Sequence, residues 1–166
     1  AQIYDYAVLQ DQNMAAANYV TDKAKYAYVP EDFLKLSEMV LAHSPECKLI
    51  LEHTWGYSKE DCKGFKTVEN FNARLKEGCG IISALNGAAV SHIGDAFLAV
   101  DTKQLGNSLH ASDNHHQSYY GTYLKSCVNY LMITGEPFNE NAATCGIDAE
   151  KAKYLRETAE RIVLGE

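Results

Sequence analysis

The residues best suited to chemistry in this chain are Asp113, Asn114, His115 and His116, with His110 three positions ahead of them. An imidazole can take the proton from a hydroxyl nucleophile, while a carboxylate holds the ring in one tautomer and steadies the imidazolium that forms. An Asp three residues before a His, on a tight loop entering a helix, can turn back to reach the ring's Nδ1. Asp113 and His116 have that spacing. His115 and His110 read more simply as loop histidines. The same residue types can also ligate zinc, so a metallohydrolase using His110, Asp113, His115 and His116 is an alternative reading.

The elements that would position this loop are legible from periodicity. Residues 3–9 (IYDYAVL) are rich in β-branched, aromatic and aliphatic side chains and predict a buried strand. A polar segment, 10–13, follows. Pro30, Glu31 and Asp32 suit the first turn of a helix that should stop near Ser44 and Pro45. Residues 48–53 (KLILEH) predict a second strand and 88–93 (AAVSHI) a third, with a helix over 68–85 between them that has a weak point at Gly78-Cys79-Gly80. A short helix is expected over 96–102. Beyond His116 the spacing predicts a helix over 118–134, stopped by Gly135 and Pro137, and then a last helix capped by Asp148. Strands alternating with helices imply an α/β fold with a mostly parallel sheet. In such sheets ligands bind beyond the carboxyl ends of the strands, which directs attention to residues 10–13, 53–57 and 93–95 besides the 113–116 loop.

Composition narrows the classes. With 166 residues the chain suits one domain with a real core. It carries 22 acidic and 15 basic residues, a formal net charge of −7, which argues against a nucleic-acid partner. No apolar run approaches the roughly 18 residues that span a bilayer, so no membrane partner is expected. Residues 1–5 lack the basic and apolar regions of a secretory leader. Five cysteines, none in a Cys-x-x-Cys pair, argue against structural zinc and lean towards a reducing, cytoplasmic setting.

Several stretches together resemble the SGNH (GDSL-like) hydrolase superfamily, and within it a bacterial branch known as a domain of unknown function. The block Asp113, His116, Gln117, Ser118, Gly121, Tyr123 and Leu124 is similar to that branch's Asp-x-x-His-Pro-Ser-x-x-Gly-x-Tyr-Leu, with Gln117 where Pro is usual. Residues 4–12 (YDYAVLQDQ) resemble its strand ending in Gln-x-Gln. Residues 49–55 match a strand ending in Trp, and 90–96 (VSHIGDA) a Val-x-Pro-Val-Gly-x-Ala element with His92 in place of Pro. The resemblance covers essentially the whole chain. It implies a three-layer, flavodoxin-like, mostly parallel sheet flanked by helices, and an ester hydrolase acting on a small-molecule or carbohydrate ester without a metal or cofactor. His116 would be the general base, Asp113 its orienting carboxylate, and Gln12 an oxyanion-hole amide. Trp55 would line a substrate pocket or pack as a core or rim aromatic, and His92 would pack or face the cleft.

The resemblance also implies a gap. The superfamily's nucleophile lies in a Gly-x-Ser-type motif after its first strand, whereas this chain starts at what resembles the third. The expectation is therefore a single domain over 1–166 that is the C-terminal portion of the fold, lacking its first two strands. Gly106-Asn107-Ser108 spells a similar tripeptide but follows no strand, and it reads as a turn. With strands 1 and 2 absent, residues 3–9 would form a sheet edge, which is an association hazard. A missing N-terminal segment, a second copy or a rearranged loop is expected to cover it. A non-catalytic domain that keeps the fold without the nucleophile is the remaining alternative.

Overall fold

A computed structural model of the chain describes residues 2–12 and 14–165. Asn13, the end of the polar segment after the first strand, lies outside the described residues. Three short parallel strands form the sheet in the order β1-β2-β3: β1 (Tyr6–Leu9), β2 (Lys48–Leu51) and β3 (Ala89–Val90). Tyr6 pairs with Lys48 and Leu9 with Leu51, while Ile50 pairs with Ala89. Parallel neighbours need crossovers. The first runs through α1 (Ala15–Thr21) and α2 (Tyr28–His43), the second through α3 (Glu60–Lys63) and α4 (Val68–Asn86). After β3 come α5 (Ile93–Ala99), α6 (Thr102–Leu105), α7 (Tyr119–Thr134) and α8 (Ala149–Val163).

All three strands are shorter than their apolar runs. Residues 3–5 lie outside β1 and stay exposed. Glu52 and His53 lie beyond the end of β2 but remain buried. The third run gives only Ala89–Val90, because Ile93 already begins α5, which replaces the short helix expected three residues later. The helix α1 was not legible from the sequence. The expected weak point in α4 is continuous helix. Its reason is packing: a Cβ on Gly78 would stand 2.2 Å from the carbonyl oxygen of Ala16, so the glycine lets α1 lie directly against α4.

Helices cover both faces of the sheet. Leu49 and Leu51 pack with Ala16, Val29, Phe33, Cys79 and Ile82 in one apolar cluster. A larger cluster joins Trp55, Phe97, Leu109, Leu124, Val128, Leu131 and Leu155 from the loops and from α5, α7 and α8. Because side chains alternate along a strand, Tyr6, Gln10 and Glu52 point away from Leu49 and Leu51. All three meet α7. The Tyr6 hydroxyl donates to the Ile133 carbonyl at 3.0 Å, and Lys125 Nζ donates to Gln10 Oε1 at 3.1 Å. The helix therefore runs antiparallel to β1, with its first turn at the carboxyl end of the sheet. Glu52, buried at the end of β2, sets the height of the helix: it accepts from Lys125 Nζ at 2.8 Å and Asn129 Nδ2 at 3.3 Å.

β1 pairs on one side only, so it is an edge strand among the described residues, and Val8 is 41% exposed.

Removing one partner of a buried ion pair strands the other. Lys125→Ala should cost about 3 kcal/mol, the low end of that effect, because the lysine keeps 21% side-chain exposure while Glu52 keeps 3%. Urea denaturation measures it, and the apolar pair Glu52→Leu with Lys125→Met should recover most of the loss.

Candidate functional site

Local hydrogen bonds build the loop ahead of α7. Residues 110 and 117 face each other in an antiparallel bridge. The amide of Ala111 donates to the His116 carbonyl at 2.8 Å, that of Ser118 to the Leu109 carbonyl at 2.8 Å, and that of Asn114 to the Ala111 carbonyl at 3.0 Å. Asn114 takes φ +54°, a left-handed turn that asparagine tolerates better than most residues. Ser118 then caps α7, its Oγ accepting from the Gly121 amide at 3.3 Å. Gly121 has a spatial reason to be glycine: a Cβ there would lie 2.2 Å from the Leu109 carbonyl oxygen.

Within this loop Asp113 turns back on its own chain. Its Oδ1 accepts from the amides of His115 and His116, each at 3.0 Å, and its Oδ2 lies 2.6 Å from His116 Nδ1. The ring contact first, then the two amides, hold the Asp113 carboxyl well below the usual carboxylate range. The group facing Nδ1 is thus an anion, which favours a proton on Nδ1 in the contact. The His116 side chain is 69% exposed, and among the described residues no hydroxyl bonds to its ring. The pair is a carboxylate–imidazole contact open to solvent.

Neighbouring rings brace it. His115 lies 4.4 Å from His116 and 4.2 Å from Tyr57 between ring centroids. Trp55 is buried, stacks on Phe97 at 4.8 Å and donates its Nε1 hydrogen to the His115 carbonyl at 3.0 Å. It is a core aromatic that ties the β2 loop to the histidine loop. His110 Nε2 lies 3.1 Å from the Gly56 carbonyl oxygen. Burial lowers the pKa of both His110 and His115.

Among the described residues, none of Gln12, His92 and Ser108 hydrogen-bonds to the pair. Gln12 is exposed beyond β1, and its carbonyl accepts from the Ala15 amide at the start of α1. His92 precedes α5, with Nδ1 3.7 Å from Asp95 Oδ2. Gly106 caps α6 at φ +66°, so Gly106-Asn107-Ser108 is a turn leaving a helix. The Ser108 hydroxyl accepts from the His110 amide at 3.0 Å and its carbonyl from Ser118 Oγ at 2.7 Å.

Sequence reasoning pointed to segments 10–13 and 53–57 but not to the titrating group in each, Asp11 and His53. Burial pushes the Asp11 carboxyl up to about 7, against the lowering effect of the Ala16 amide that donates to it. Burial lowers His53 to about 4; among the described residues neither of its ring nitrogens has a hydrogen-bond partner, and Gly94 is packed against it. Both follow polar or apolar runs whose folding inward no local pattern reveals.

No protein-family model and no curated protein matches this sequence. Two solved structures share its architecture. One is a DUF4886 family protein from Bacteroides uniformis, with a TM-score of 0.75 and 18% identity over 96% of this chain and 62% of that one. The other is a candidate SGNH hydrolase from Slackia heliotrinireducens, with a TM-score of 0.53 and 16% identity over 97% of this chain and 66% of that one. At such identities the likeness is one of fold. The chain has an SGNH-hydrolase-like α/β architecture and spans about two thirds of the length of either neighbour.

Asp11 has a pH signature. An acid whose folded pKa is raised stabilises the fold only while protonated there, and that contribution is lost as pH rises from the unfolded value, about 4, through the folded value. Asp11→Asn keeps an oxygen for the Ala16 amide and removes the charge. Its melting temperature should gain on the parent between pH 4 and about 7 and hold that gain above it. Parallel melting profiles for the two proteins would show that Asp11 titrates normally.

Proposed function

We propose that this chain carries the general base and orienting acid of a serine ester hydrolase of the SGNH type. The observation that supports the reading is the 2.6 Å contact between Asp113 Oδ2 and His116 Nδ1 on an open ring. In the reaction His116 Nε2 takes the proton of a serine hydroxyl as its oxygen attacks the acyl carbon of an ester. The imidazolium then returns the proton to the departing alcohol oxygen, and water releases the acyl group by the same exchange. Asp113 stabilises the imidazolium. Gln12 is the proposed amide donor to the oxyanion. The substrate is a small-molecule or carbohydrate ester, an acetyl ester in the simplest case.

The nucleophile belongs, on this reading, to an N-terminal portion of a longer protein that pairs with the open side of β1. The unpaired edge and the half-exposed Val8 favour such a neighbour. A second reading is favoured by the His116 ring having no hydroxyl on it among the described residues: a domain that keeps the fold and does no chemistry.

Hydrolysis of p-nitrophenyl acetate separates these readings. The 166-residue chain should be inert alone, and the polypeptide encoded by its extended reading frame should be active and label with a fluorophosphonate upstream of residue 1. In that protein His116→Ala should lower kcat by about 10²–10⁴-fold. Turnover by the chain alone with an adduct on Ser108 would overturn the assignment of the nucleophile. An inert extended protein would leave the non-catalytic reading.

A further inference from the structure

Asp113, His115 and His116 each offer a ligand atom, and the three atoms lie within 4.8 Å of one another. First-row divalent ions bind imidazole nitrogen and carboxylate oxygen at about 2.0–2.2 Å, so the three side chains would draw together to close the set. Two imidazoles and one carboxylate form a three-protein-ligand set that leaves positions for water. The approach is open, because the His116 and Asp113 side chains are 69% and 39% exposed.

The loop is also held in shape before any ion arrives. Two amides fix Asp113, the Ala111–His116 backbone bond closes the turn, and Trp55 holds the His115 carbonyl. Preorganisation of this kind reduces the entropy lost on binding. His110, the fourth ligand suggested by the sequence, lies on the Gly56 carbonyl and outside the group.

We infer that the 113–116 loop binds one divalent first-row transition ion, Zn²⁺ as its type, through Asp113, His115 and His116, and that the ion and the acid–base pair exclude each other. The bonds formed are dative bonds from nitrogen and oxygen to the ion; water leaves the ion and nothing is oxidised. If the ion takes His116 Nδ1, the 2.6 Å contact with Asp113 is broken. If it takes Nε2, the lone pair that would accept the serine proton is occupied. In either geometry the ion silences the base. Binding is independent of the proposed hydrolase activity, whereas the silencing rests on it.

Isothermal titration of the 166-residue chain with ZnCl₂ tests binding directly, and the visible absorption of a Co²⁺ complex reports the ligand field. One ion per chain is expected. His115→Ala and His116→Ala should each weaken binding at least tenfold, or about 1.4 kcal/mol, whereas His43→Ala on the far end of α2 should not. Asp113→Asn keeps an oxygen for the two amides and should also weaken binding, which guards against loss by misfolding. No heat and no Co²⁺ spectrum, or binding that survives His115→Ala with His116→Ala, would overturn the site. Zinc binding by a protein inert in every form would remove the hydrolase reading alone. Hydrolysis by the extended protein that zinc does not inhibit would remove the silencing.

Discussion

The structure turns on the carboxylate of Glu52. It sits where β2 ends, nearly out of water, and it grips Lys125 and Asn129 one turn apart on α7. A charge in that position is costly unless paired and hydrogen-bonded. The pairing fixes both the height of α7 along the sheet and its rotation about its own axis. Tyr6 at one end of β1 and Gln10 at the other meet the same helix, at Ile133 and Lys125. With α7 so placed, its first turn falls at the carboxyl edge of the sheet, and the loop that precedes it must fall there too.

That loop has little freedom left. Ser118 caps the helix, Gly121 admits the Leu109 backbone against its first turn, and two cross-loop amide bonds close the hairpin. Asp113 spends one carboxylate oxygen on the backbone of the loop and the other on His116. The same anion therefore shapes the turn and sets the tautomer of the ring. Trp55, sixty residues away in sequence, holds the His115 carbonyl from beneath. The arrangement presents an exposed imidazole at the carboxyl edge of the sheet, where parallel sheets bind their ligands.

Opposite this ordered region is the open flank of β1. A strand with one neighbour leaves backbone groups facing outward, and Val8 adds apolar surface to them. The exposed His116 ring and the one-sided pairing of β1, among the described residues, are the two features on which the proposed function rests.

The sequence alone determined whatever depends on residues a few positions apart. The Asp-x-x-His turn spans three residues, and the caps by Ser118 and Asp148 act within a single helical turn, as does the stop at Gly135. Periodicity likewise placed α4, α7, α8 and the β2 strand, since each shows its apolar face locally. Tertiary structure decided the rest. Gly78 and Gly80 read as a weak point because glycine lowers helix propensity, but the close approach of Ala16 outweighs it and keeps α4 whole. The apolar run at 88–93 was cut to two strand residues because Ile93, buried in the larger apolar cluster, already begins α5. Glu52 with Lys125, Trp55 with His115, and the burial that raises Asp11 all join residues or surfaces that no local spacing connects. The Asp113–His116 contact was legible from a tetrapeptide; its location at the carboxyl edge of the sheet was not, because that depends on Glu52, buried just beyond the end of β2.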